Sequence, residues 1–520
     1  SVASRGLGDV YKRQHQTYVD FIASINKRFG AFSLASNIGY SYSDYGSLTR
    51  GYGGNLTLVP NKFSLTNIDP TDSKIRETGG DSKVRNVAAF ASAELGYKSM
   101  LYLTLTGRND WNSRLVNSSE ESFFYPSVGL SGIISEMVKL PKAISYLKVR
   151  GSFTEVGSPV SRSGMTPGTI TTPILGGSLK STDIYPFTDY KAERTKSYEL
   201  GLTARFFKKL SFDFTWYKSN TYNQTFIGEL PESSGYKAVY LQAGNVENRG
   251  VEMTLGYHDN FGELGWNSSL TYSHNNNEII EMVKDYTHPM SPKPINIPQV
   301  SKDNGRVILK VGGSINDIYA NKFLAKDNQG FINVTSSGGF NVENVDPVYL
   351  GKTTPDFTMG WNNSFSYKGF GLSFLINARV GGVVTSSTQA LLDKFGVSQA
   401  SADARDAGGV LIPEQGVFDA KNYYNLIGTG ETALAGYYTY SATNVRLQEL
   451  TFSYKFNSRW FNNVVKDLTL SFVANNPWMI YCKAPFDPEV TPSTGTYGQG
   501  NDYFMQPSLK SYGFSVKFKF

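Results

Sequence analysis

Catalysis or metal binding in this chain would have to be assembled from four histidines, one cysteine and 44 carboxylates in 520 residues. With Cys482 alone, neither an internal disulfide nor a Cys-based zinc site can form, and His15, His258, His274 and His288 leave little for a His-based site. Ser is plentiful, but no nucleophile, base and orienting group can be put together, so neither catalytic residues nor a cofactor is expected. Asp487-Pro488-Glu489 is the one carboxylate pair in a suggestive setting. Such a pair can hold Ca²⁺ or act as acid and base on a glycan; a turn held by Asp before Pro is the stronger reading. Asp327-Asn-Gln-Gly330 lacks the later Glu of a calcium loop and reads as a turn, and Gly495-Thr-Tyr-Gly-Gln-Gly500 precedes no helix pattern, so it is no phosphate loop. Trp111, Trp216, Trp266 and Trp361 could stack on sugars. Trp216 and Trp361 fall on outward faces, where an interfacial girdle explains them better. Trp111, Asp487 and Glu489 remain as the candidate substrate region.

The elements that must position these residues are strands. Aromatic residues make up 14% of the chain and charged residues only 18%, below the roughly 25% of soluble domains, while 51 glycines suit β-structure. Period-2 alternation recurs throughout. Leu210, Phe212, Phe214 and Trp216 alternate with Ser211, Asp213, Thr215 and Tyr217. The closing segment sets Tyr512, Phe514, Val516, Phe518 and Phe520 against Ser511, Gly513, Ser515, Lys517 and Lys519. About fifteen such strands can be counted, most of them near the roughly 9–11 residues that cross a bilayer at a tilt. No run of 18 apolar residues exists, which excludes a spanning helix and leaves a spanning barrel open.

The connections sort by parity. Tight ones at 26–30, 97–100, 207–209 and 367–369 alternate with long ones at 44–82, 156–194, 222–242, 280–355 and 385–441. Short turns on one rim and long loops on the other are the mark of an all-β, antiparallel transmembrane barrel in an outer membrane. The small polar faces suit a wet lumen and would be costly in a dry core. Four prolines within 289–298 predict a rigid irregular segment, and 385–405 a short helix in an outer loop. A net charge of +6 without a basic run argues against nucleic acid. A secreted all-β carbohydrate-binding or adhesive module is the alternative; it would bury one face between two sheets and carry no aromatic girdle.

Several stretches resemble the SusC/RagA family of TonB-dependent transporters from Bacteroidota. They are Arg108-Asn-Asp-Trp111 with Phe123-Phe-Tyr-Pro-Ser-Val-Gly-Leu-Ser131, Leu147-Lys-Val-Arg-Gly-Ser-Phe153, Glu193-Arg-Thr-Lys-Ser-Tyr-Glu-Leu-Gly201 and Ala243-Gly-Asn-Val-Glu-Asn-Arg-Gly-Val-Glu252. Lys352-Thr-Thr-Pro-Asp-Phe357, Val445-Arg-Leu-Gln-Glu-Leu-Thr451 and Ala484-Pro-Phe-Asp-Pro-Glu489 follow in the family's order. The resemblance implies a barrel of about 22 strands closed by an N-terminal plug. It also implies import of oligosaccharides or peptides with a SusD/RagB-like surface lipoprotein, driven by TonB-ExbB-ExbD, and no enzymatic activity. Tyr512, Phe514, Phe518 and Phe520 are similar to the C-terminal signal read by the barrel-assembly machinery. Neither the plug nor the TonB-contact motif is found, and residues 1–14 match nothing in the family. We therefore expect a non-native leader at 1–14 and the C-terminal part of an outer-membrane barrel over 15–520.

Overall fold

A computed structural model describes residues 6–55, 59, 62, 64–68, 76–116, 118–159, 174–175, 178–179, 184–185, 191–229, 238–287, 292–302, 306–335, 339–428, 434–457, 465–492 and 499–519. Fifteen antiparallel strands form one continuous sheet, each paired to its neighbours in sequence order. They are β1 (Gly6–Phe29), β2 (Phe32–Asn55), β3 (Arg76–Tyr97), β4 (Leu101–Asn112) and β5 (Ser122–Ile133). Next come β6 (Ile144–Ser158), β7 (Glu193–Phe206), β8 (Leu210–Glu229), β9 (Ala238–Phe261) and β10 (Leu264–Glu281). The last five are β11 (Phe357–Tyr367), β12 (Phe370–Val380), β13 (Asn444–Phe456), β14 (Asp467–Cys482) and β15 (Ser511–Lys519). Among the described residues β1 and β15 pair on one side only. Of the segment expected as a leader, residues from Gly6 onward run within β1.

Loop parity holds over most of the sheet; the long-rim connections at 113–121 and 230–237 are the exceptions, being no longer than the two longest on the short rim. On the short rim, two- and three-residue turns take left-handed backbone at Lys98, Ser99, Phe207, Lys208, Lys368 and Gly369, the conformation whose twist matches a hairpin. The two longer connections on that rim carry α1 (Ile134–Met137) and the segment from Asn457 to Lys466.

Register assigns the two faces. Ile38, Leu105, Val128, Leu200, Phe214, Met253, Leu270, Trp361, Phe374 and Phe472 share the outer face; Asn37, Thr106, Ser127, Arg150, Thr215, Glu252, Thr271, Asn362, Ser373 and Ser471 share the inner. Along β2, Phe32 to Tyr42 spans about 33 Å of strand, or about 25 Å of height at the usual tilt, which is the thickness of a barrel's apolar band.

Three expectations are corrected. Twelve strands exceed the roughly 9–11 residues that cross a bilayer, six of them by at least seven: β1, β2 and β9 have 24 residues, β3 has 22, β8 has 20 and β10 has 18. Hairpin pairing simply continues into water, where Ser, Thr, Tyr and Gly lose nothing by extending the ladder, so the loops at 44–82 and 222–242 are shorter than their sequence suggests. The Pro-rich loop is also less irregular than expected. It holds strands at Ile295–Ile297 and Gln299–Lys302, the latter in a four-stranded sheet with Val307–Lys310, Asp317–Leu324 and Val342–Lys352. The expected helix at 385–405 is two, α2 (Ser387–Lys394) and α3 (Gln399–Asp406), followed by α4 (Ala420–Ile427).

The two-faced wall makes a direct prediction. Leu105→Arg, on the outer face near mid-height, should cost about 2–4 kcal/mol, whereas Thr104→Arg on the inner face should cost far less. Unfolding in urea from lipid vesicles measures both, and equal costs would remove the assignment of faces.

Candidate functional site

The outer face is organised by height. At the short rim it carries an aromatic belt: Phe32 against Tyr97 at 5.0 Å, Tyr257 against Trp266 at 4.9 Å and Phe370 against Tyr454 at 4.6 Å between ring centroids. Trp266 and Trp361 turn their indole N–H groups onto neighbours of the same face, Asn363 Oδ1 at 3.2 Å and Ser268 Oγ at 3.1 Å, so both indole donors are satisfied in an apolar layer. Toward the long-loop rim the outer face ends in a second set of rings, Tyr42, Trp111, Tyr198 and Trp216. Trp111 stands opposite Val87 on this outer face, 45% exposed. Its position is a girdle position, away from the lumen.

The inner face is polar and locally neutralised. Arg108 donates to Asp110 at 3.0 Å, and Asp110, only 4% exposed, also accepts from Asn86 and Tyr125. Further round, Arg150 of β6 lies flat across β7 and reaches Thr215 at 2.5 Å and Asp213 at 3.4 Å on β8. Gly201 makes that path possible, since a Cβ there would stand 2.4 Å from Arg150 Nε. Such a wall presents fixed hydrogen-bonding groups with little net charge, suited to a solvated solute.

Above the wall, three long loops fuse into one cap. Val383–Ser386 pairs with Thr439–Ser441 and, in parallel, with Asn501–Asp502 of the last loop. Ser386, 1% exposed, donates to Asp502 at 2.6 Å and caps α2 by accepting from Gln389 N. Arg306, from the loop after β10, donates to the carbonyls of Gln499 and Gly500 at 3.1 and 2.9 Å. The cap has apolar cores of its own. Met282, Val283, Ile297, Leu309 and Ile318 pack on Val246 and Ile279 at the tops of β9 and β10, while Leu324 joins Ala390, Ile427, Leu434 and Tyr438. Burial, the Asp393 carboxylate and the hydrogen bond that Tyr438 donates to it hold the Tyr438 phenol protonated far above its ordinary range.

Asp487 and Glu489 fasten this cap to the wall. Arg446 of β13 meets Asp487 at 2.9 Å and Glu489 at 3.5 Å, with the Arg446 and Asp487 side chains 8% and 7% exposed. Asn444 donates to Glu489 at 3.1 Å, Ser508 donates to Asp487, and Asp487 accepts from the Glu489 amide at 3.1 Å, the turn expected of Asp before Pro. Burial pushes the Asp487 carboxyl up, but the hydrogen bonds from Arg446 and Ser508 outweigh it and leave it below its ordinary value. Asp327 likewise closes a turn, accepting from Gln329 N and Phe331 N. The glycine-rich stretch at 495–500 lies largely outside the described residues, as does Phe520. The remaining residues singled out at the C-terminus, Tyr512, Phe514 and Phe518, line the outer face of β15 at 61%, 86% and 59% exposure. Arg446 was missed as a partner for Asp487; the available signal was a cation on the inward row of its strand, beside Asn444.

A wall of this topology, with a polar lumen and a loop cap, matches a family model described as TonB dependent receptor-like, beta-barrel, over residues 2–476. The chain belongs to that family. Its members are outer-membrane proteins, so the greasy outer band is the lipid-contacting surface. It is 23% identical to TonB-dependent receptor P3 of Formosa agariphila, over 98% of this chain and 53% of that relative. It is also 23% identical to TonB-dependent receptor SusC of Bacteroides thetaiotaomicron, over 81% of this chain and 43% of SusC. Among solved structures, the RagAB peptide importer in its open-open state superposes with a TM-score of 0.74 at 17% identity, covering 99% of this chain and 55% of that one. The chain thus spans about half the length of the curated relatives it matches.

The Arg446 latch is testable. Arg446→Ala strands a buried carboxylate, a loss of about 3–5 kcal/mol for pairs of this kind. Limited proteolysis should then cut within 483–510 while the barrel strands stay protected, and an unchanged cleavage pattern would count against the latch. Because the folded carboxyl of Asp487 titrates below the ordinary 3.8, its contribution is complete above that pH and is lost only as acid falls through the lowered value. The wild-type loop should therefore resist protease down to about pH 4.

Proposed function

We propose that this chain is the barrel wall and outer cap of an importer that takes up oligosaccharides or peptides through the outer membrane. The observation that carries the proposal is the pairing of a charge-neutralised polar lumen with a preformed cap of three fused loops. A lumen lined by Ser, Thr, Asn and paired charges passes a hydrated solute without trapping it, and a folded cap supplies fixed area for capture. Likeness to the RagAB peptide importer supports the peptide class, and the oligosaccharide class rests on the motifs that resemble the SusC/RagA family. A SusD/RagB-like surface lipoprotein is the proposed partner at the cap, and TonB-ExbB-ExbD the proposed energy source, acting through parts of the protein other than this wall. We assign it no enzymatic step, since Asp487 and Glu489, the carboxylates nearest to a hydrolytic pair, are both engaged by Arg446.

Tyr512, Phe514 and Phe518, together with Phe520, are proposed as the signal recognised by the barrel-assembly machinery. Their support is an unbroken aromatic and apolar outer row on the closing strand.

Two outcomes are expected. Cells lacking the full-length parent should lose uptake of one labelled substrate class, either oligosaccharide or peptide, and the loss should be reproduced by collapsing the proton gradient. Uptake of both classes at parental rates would exclude the importer reading. Separately, Phe518→Ser with Phe520→Ser should cut the heat-modifiable, folded fraction in outer membranes several-fold, while Lys517→Ser on the opposite face leaves it unchanged.

A further inference from the structure

Immediately above the apolar band the outer face carries a ring of charges, and most of it is balanced. On β6 and β7, Arg194 meets Glu120 at 2.6 Å and Glu155 at 2.9 Å, while Lys196 stands in register with Glu155, so two cations face two carboxylates. On β8 to β10, Lys218 meets Glu247 at 2.8 Å and Arg249 meets Glu278 at 3.8 Å, again two against two. The exception is β1 to β3. There a single carboxylate, Asp44, is surrounded by Arg85 at 3.0 Å, Lys83 at 3.6 Å and the imidazole of His15 at 3.6 Å. The side chains of the two cations, Arg85 and Lys83, and of His15 point to solvent, 50%, 59% and 60% exposed, while Asp44 is only 9% exposed beneath them. Directly below, Tyr42 donates to Asp44 at 3.1 Å and lies under the Arg85 guanidinium at 5.8 Å, with Tyr40 and Ile38 beneath it, 50% and 62% exposed.

We propose that this patch binds the anionic headgroup of an outer-leaflet glycolipid, its phosphate held by Lys83 and Arg85 and its acyl chains lying on Ile38 and Tyr40. Three features select this occupant. The excess cations stand at the height of a headgroup, one residue pair above a band of about 25 Å. They are exposed on the lipid side of the wall, where a soluble partner would have to displace membrane. Arg85 Nε and Nη2 donate to Asp44 Oδ2 at 3.1 and 3.0 Å, which fixes the guanidinium and leaves its remaining N–H groups preorganised, while Lys83 supplies a mobile point charge. A basic residue held at a membrane surface strengthens binding to anionic headgroups about fivefold.

The test uses the full chain folded in uncharged detergent and native mass spectrometry, with bisphosphorylated lipid A, the same lipid dephosphorylated, and inorganic phosphate as separate probes. Retention of phosphorylated lipid A should exceed that of the dephosphorylated form at least fivefold. Lys83→Gln should remove most of the difference, and Lys218→Gln, in a balanced cluster, should leave it intact. Lys83 makes no hydrogen bond to Asp44 at 3.6 Å, so its replacement leaves the fold standing, with heat-modifiable migration as the check. Equal retention of the two lipids, or an unaffected Lys83→Gln variant, overturns the proposal. Displacement of the lipid by inorganic phosphate at equal concentration would assign the patch to a free anion and overturn it as well.

Discussion

No water reaches the hydrocarbon layer of a bilayer, so every backbone amide that crosses it must find its partner in a neighbouring strand. The rest of this structure depends on that constraint. It dictates one unbroken ladder from β1 to β15 with neighbours in sequence order, because any strand out of order would leave a gap in the ladder. It confines most irregularity to the rims, with one shift inside β12 between Leu375 and Ile376. The register shifts between Val445 and Arg446, between Leu447 and Glu449, and between Asn245 and Val246 all lie toward the long-loop end, where water or loop atoms can serve the freed groups. The outer edges of β1 and β15 are unpaired among the described residues, and in lipid those two edges need partner strands as strictly as any interior one.

Once the ladder is fixed, side chains have no freedom to choose a face. A period of two sends one residue to lipid and the next to the lumen, and polarity then sorts by height as well as by side. Within the band the outer face mixes aliphatic side chains with Phe, at its two edges Tyr and Trp are added, and beyond them it is charged. The same Asp, Glu, Lys and Arg that would be prohibitive at mid-height on the outer face become harmless pairs a few ångströms higher, as with Glu155 and Arg194. On the inner face charge is allowed at any height provided it is neutralised, and Arg150 shows how closely the backbone cooperates. The absence of a side chain at Gly201 lets a guanidinium cross one strand and pair with the next.

These consequences explain why the wall was legible in the sequence and the cap was not. Alternation is a local signal, and all fifteen strand positions could be placed from it because each strand announces its own two faces. The ends were less visible. Residues such as Ser43, Ser47 and Thr49 in β2 carry the ladder into water without any change in pattern that marks where lipid stops. Fold and parity were therefore readable, and strand length was not. The candidate substrate residues fared differently from one another. Trp111 has an outward register that its own strand, with Leu101, Leu103 and Leu105, already implied. Asp487 and Glu489 could not be resolved, because their partner Arg446 lies some 40 residues earlier on a different strand and nothing local ties them together.

The cap illustrates the deeper reason. Its cohesion comes from contacts such as Leu324 with Ala390 and Leu434, or Ser386 with Asp502, which join three loops separated by intact strand pairs. A loop tethered at both ends to a rigid wall needs little ordering entropy to find a neighbouring loop on the same rim, so short apolar segments that could not fold alone suffice. Ile295-Asn-Ile297 and Val307-Ile-Leu-Lys310 are each too short to hold a strand in isolation, and become strands only because the wall delivers their partners. The barrel is thus the template on which the cap folds. A latch such as Arg446 with Asp487 then has a purpose that its chemistry alone does not reveal, which is to fix the height and orientation of a folded body above the lumen whose entrance it frames.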